Sequence, residues 1–167
     1  MIKQTTFLNV LENTIIAVSN VVALYPIKKA YYTNDNITMY CIIFVAIASF
    51  ISHLFMSDKH GMHGFGMPRN ISYLLNKLDI LSCFIVIGRF LYLYWRGIII
   101  FPNISLIKKI CIALFTLFIS EFDKYNAELK YIYICMHCIW HITIFNIMRD
   151  LLTYTNCDKY YYVLYGF

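Results

Sequence analysis

Long apolar stretches, broken by short polar ones, run the length of the chain. The first extends from about Phe7 to Tyr25 and stops at Pro26, with Lys28 and Lys29 just behind it. A polar loop, Tyr31 to Asn36, leads to a second stretch, about Thr38 to Met56, that is nearly free of charge. The next loop, Ser57 to Asn70, holds Gly61, Gly64, Gly66 and Pro68, which deny it a helix. A third stretch, about Ile71 to Tyr94, carries Lys77, Asp79 and Arg89 and ends in Trp95-Arg96-Gly97, which reads as an interfacial turn. The segment from Gly97 to Ser120 is less regular. Pro102 sits near its start and Lys108-Lys109 near its middle, so it reads as one kinked span or a short helix pair dipping into the membrane. A polar loop, Glu121 to Lys130, precedes the last stretch, about Tyr131 to Leu152. The tyrosine-rich tail after it suits the membrane interface.

A helix needs about 20 mostly apolar residues to cross the hydrocarbon layer of a bilayer. The pattern therefore predicts an all-α fold: a multi-span transmembrane helix bundle of about five spans, with residues 1–167 forming a single integral-membrane domain. Composition agrees. Hydrophobic residues make up 60% of the chain and charged ones only 14%, against roughly 25% charge in a soluble domain. Lys3 followed by an apolar run has the look of a secretion signal. Glu12, Asn13 and Asn20 interrupt that run, however, and no small-x-small cleavage site precedes Pro26, so a retained first span is expected.

The formal net charge of +5 is scattered and builds no basic stripe, which argues against nucleic acid as a partner and for the lipid bilayer. Loop Lys and Arg fall about equally on both faces, so orientation is not readable. The six cysteines lie mostly inside apolar stretches, which excludes the disulfide framework of a small secreted domain. Cys135-x-x-Cys138 has no second pair and reads as packing.

Ionisable side chains in a membrane segment are expensive and mark function by default. Ser49 and His53 lie near the end of the second stretch, Asp79 near the start of the third, and His137 and His141 near the start of the last. The first stretch holds Glu12, Asn13, Ser19 and Asn20, of which Glu12 and Asn20, eight apart on roughly one helix face, read as interior hydrogen-bonding groups. If residues 97–120 cross once, His53, Asp79, His137 and His141 all come to similar depth near one face. His137 and His141 are four apart, so one helix face presents two imidazoles. Ser49 and His53 share the same spacing. Three neutral histidines and an open fourth position suit a catalytic Zn2+ site. Asp79 could then accept a proton and Ser49 could donate a hydrogen bond to a developing oxyanion. His60 and His63, in the glycine-bearing loop, read as ordinary loop residues.

Ser49-x-x-x-His53, then Asp79, then His137-x-x-Trp140-His141 resembles the three-part signature of the CREST superfamily of membrane hydrolases. That group includes alkaline ceramidases, progestin and adiponectin receptors, Per1-type lipid-remodelling enzymes and myomaker. The wide gap from His53 to Asp79 is closest to the myomaker branch. The resemblance implies His53, His137 and His141 as zinc ligands and Ser49 and Asp79 as the polar pair handling water. The implied substrate is a membrane lipid with an amide or ester bond. The chain departs from the family's seven spans, because Tyr94 to Tyr131 has room for only one ordinary span where the family has three. Removing two preserves the faces but takes two walls from the substrate cavity. Three readings stay open at this stage: a zinc-dependent lipid hydrolase, an inactive CREST-like scaffold or receptor, and a small transporter or channel component using Asp79 and Arg89 as a charge pair.

Overall fold

A computed structural model of the chain describes residues 7–59, 62–63, 65, 67–99, 104–123 and 126–153. Among them the chain is almost entirely helical. Helix α1 (Phe7–Ser19) passes through a 3-10 turn (Asn20–Ala23) into α2 (Leu24–Tyr32). Helices α3 (Asn36–Leu54), α4 (Arg69–Trp95), α5 (Ile104–Glu121) and α6 (Lys130–Thr153) follow, the last preceded by a 3-10 turn (Ala127–Leu129). Two very short antiparallel strands, β1 (Ser57–Lys59) and β2 (Met62–His63), fold the glycine-bearing loop. Four helical segments are long and apolar enough to cross a membrane: Val10–Tyr32, Asn36–Leu54, Arg69–Trp95 and Ala127–Thr153. Large apolar side chains such as Leu24, Leu74, Phe84 and Phe118 point outward from the bundle, as lipid-facing positions require.

The first span differs from the sequence expectation. It does not stop at Tyr25 but runs on to Tyr32. Pro26 is the third residue of α2, in the first turn, where backbone N–H groups lack helical partners and a missing one costs little. The helix ends six residues later, at Tyr32. Asn34 takes the left-handed conformation (φ 56°), the Asp35 N–H donates to the Ala30 carbonyl at 2.9 Å and the Asn34 N–H to that of Tyr31 at 3.0 Å. This is the Schellman stop, in which asparagine tolerates the position glycine usually fills. Asp35 then caps α3, its carboxylate accepting from the Thr38 N–H at 3.0 Å. The turn after α4 repeats the device. Gly97 has φ 68°, Ile98 donates back to Leu93 at 3.0 Å, and Leu93, Ile98 and Ile99 bury together.

The segment read as one kinked span or a helix pair holds one unbroken helix, α5. It is 18 residues long and carries Lys108, Lys109 and Glu121, so it falls outside the four strongly apolar spans. It packs along α6, and Lys109 forms an ion pair with Asp150 there. The α1–α2 unit packs against both α3 and α6, while α4 lies on α3. Ala23, Ala30, Ile42, Val45, Val86, Phe145, Met148 and Leu152 close one half of the interior as an apolar core. The other half contains His53, His137 and His141.

Candidate metal centre

His53 stands in the last turn of α3, and His137 and His141 in the first half of α6. All three are buried, with 5%, 7% and 4% exposure. Their ligand atoms lie within 4.8 Å of one another. The Nε2 atoms of His53 and His137 are 3.1 Å apart, and the three ring centroids are separated by 4.6, 4.8 and 5.2 Å. A tetrahedral zinc bound at 2.0–2.1 Å separates its nitrogens by about 3.4 Å. Three imidazoles, with no carboxylate among them, are a donor set that fits zinc in type and in spacing.

Three serines surround the trio. Ser49, one turn before His53, places its hydroxyl 3.3 Å from Nε2 of His141. Ser19, at the end of α1, meets the other nitrogen of that ring, Nδ1, at 2.6 Å. Ser120, in the last turn of α5, meets Nδ1 of His137 at 3.3 Å. Four helices thus meet at one buried point.

The chain is 44% identical, over 147 residues, to the uncharacterized protein L282 of Acanthamoeba polyphaga mimivirus, an alignment spanning 85% of this chain and 97% of that protein. The chain belongs to the same family as that viral protein. No protein-family model matches it, and no solved structure matches it.

Asp79 is half-buried on α4 and stands outside the histidine trio. Its depth follows from the α3–α4 register. Arg89 Nε donates to Thr38 Oγ1 at 2.9 Å. From that contact Asp79 lies about 15 Å back along α4 and Ser49 about 16 Å along α3, so the two sit at similar height.

Two charged residues, Glu12 and Arg89, have ion-pair partners that the sequence does not reveal. Glu12 is not a hydrogen-bonding group of the interior alone: it forms an ion pair with Lys130 at 2.8 Å. Asn13 donates to the Met56 carbonyl at 3.0 Å, tying α1 to the chain just after α3. Arg89 faces Asp35 at 2.9 Å, so the charge partner in the structure is one the sequence reading left in a loop. His60 and the His63 side chain lie outside the described residues. Cys138 packs beside Ile16, Met56, Met62 and Tyr133, in keeping with a packing role, and Cys135 is exposed. Sequence reasoning placed Ser19 in the first span but gave it no part in the site, and it passed over Ser120. The signal for Ser120 is the pairing of α5 with α6, which spacing along one helix does not reveal.

Proposed function

We propose that this chain is a multi-pass membrane protein that holds zinc through His53, His137 and His141 and hydrolyses an amide or ester bond of a membrane lipid. The observation that supports the reading is the convergence of three buried imidazoles from two helices at one point. A zinc ion held there would supply a Lewis acid that polarises a carbonyl and brings the pKa of a bound water to about 7. The chain's own groups divide the remaining work. The Ser49 hydroxyl donates toward oxygen charge developing beside His141. Asp79, at the height of Ser49, accepts the proton of the attacking water. Burial of all three rings among apolar helices restricts bulk water at the site.

A second reading, a scaffold that keeps the site for folding, draws on one observation. A single helix, α5, stands between α4 and α6 in the described chain, so the site has few walls with which to enclose a substrate. Metal analysis and lipid turnover on the purified full chain test both. Stoichiometric zinc, lost in His137→Ala and His141→Ala, and lipid cleavage, lost in Asp79→Ala, support the hydrolase. Zinc without turnover leaves the scaffold, and a wild-type chain without zinc sinks both.

A further inference from the structure

The serines at the ends of α1 and α5 have their protons committed elsewhere, and this fixes where the imidazole protons are. A serine hydroxyl has one proton to donate and two lone pairs to accept with. The Ser19 hydroxyl lies 2.6 Å from the Ile16 carbonyl oxygen, which can only accept, so its proton goes there. The contact between Ser19 Oγ and His141 Nδ1, also 2.6 Å, must then take its proton from the ring. Ser120 repeats the arrangement. Its hydroxyl donates to the Leu117 carbonyl at 2.8 Å and faces His137 Nδ1 at 3.3 Å. A neutral imidazole carries one N–H. With that proton on Nδ1 in both rings, both Nε2 atoms are bare.

We propose that Ser19 and Ser120 are positioning residues that hold His141 and His137 in the Nδ1–H tautomer, so that both Nε2 lone pairs are presented to the shared point before any ligand arrives. Two consequences follow within the centre. In the metal-free chain Ser49, 3.3 Å from the bare Nε2 of His141, is the donor of that contact, and a metal on Nε2 would free its proton. In the metal-free chain the 3.1 Å approach of His53 Nε2 to His137 Nε2 takes its proton from His53. The assignment also gives α5 a role. This helix, which carries Lys108, Lys109 and Glu121, supplies no ligand but orients one. The effect on metal affinity rests on the zinc reading above, whereas the tautomers do not.

The test is nitrogen-15 NMR of histidine-labelled, metal-free full-length protein in detergent, together with zinc titration. In the wild type, His137 and His141 should show protonated Nδ1 and bare Nε2. Ser19→Ala should mix the tautomers of His141 alone, and Ser120→Ala those of His137 alone. Each should weaken zinc binding about 10- to 100-fold, the usual cost of losing such an orienting partner. Ser19→Thr and Ser120→Thr, which keep the hydroxyl, should restore the wild-type ring signals. An Nε2–H form of His137 or His141 in the wild type overturns the proposal, and so do alanine variants whose ring signals match the wild type. A wild type with the expected tautomers but no zinc affinity supports it while removing the hydrolase reading.

Discussion

Helix α3 carries a buried polar cluster at each end, about 27 Å apart along its axis, and the two are built on opposite rules. At the start, Asp35, Thr38 and Arg89 form a closed knot. Asp35 is fully buried, Arg89 Nη2 reaches it at 2.9 Å, and the Thr38 N–H and hydroxyl both bond the same carboxylate. Arg89 Nε donates to Thr38 as well. Opposite charges and donors answer one another there, and no lone pair is left pointing at a common space. At the other end, His53, His137 and His141 direct ring nitrogens inward, while serines occupy the outer nitrogens of two rings. The first cluster holds α3 and α4 in register. The second is arranged around a point that none of its members fills. Burial alone does not separate the two kinds of site; the direction of the donors and acceptors does.

Breaking each cluster should give different signatures. The largest effect is expected for His137→Ala or His141→Ala. Bound zinc measured by mass spectrometry should fall to background, with helix content by circular dichroism unchanged. Next comes Arg89→Met, which leaves Asp35 buried without its cation. Unfolding in detergent should become easier by about 3–5 kcal/mol, with zinc stoichiometry retained in the folded fraction. A drop in zinc of the same size as in the histidine variants would show that the two ends are not separable. Ser49→Ala should lower lipid turnover about 100-fold, or about 3 kcal/mol in transition-state stabilisation, without changing zinc content. Thr38→Val removes the hydroxyl between Asp35 and Arg89, and should cost about 1–3 kcal/mol of stability in the same unfolding assay. The smallest change is expected for Lys109→Met on the half-exposed α5–α6 ion pair, under about 1 kcal/mol. A larger loss there would mean that α5 depends on that pair to stay against α6 and keep Ser120 in place.

The helices were legible because each is a long apolar run with polar punctuation, and the histidine trio because four-residue spacing stacks side chains on one face. The end of the first helix was not, because Pro26 reads as a stop unless one knows that a new helical turn begins just before it at Leu24. The strand pair β1–β2 was hidden by glycines that read as plain loop. Asp35 looked like a loop carboxylate. Its position three residues before Thr38, ahead of an apolar run, is a helix-cap signature that points to α3 but says nothing of Arg89, 54 residues further on. Glu12 met Lys130 and Ser120 met His137 only through tertiary packing, which a periodicity along one helix does not encode.

The four-residue 3-10 turn between α1 and α2 does more than carry the chain past Pro26. A 3-10 step turns the backbone by 120° per residue instead of 100°, so four such steps advance the angular phase by about 80° beyond a plain α-helix. Above the offset, Ser19 is aimed at His141; below it, Ala30 faces the apolar core, as does Ala23 at the turn's end. A single polypeptide rod thereby serves two differently oriented neighbours, and deleting one residue from the turn would desynchronise them.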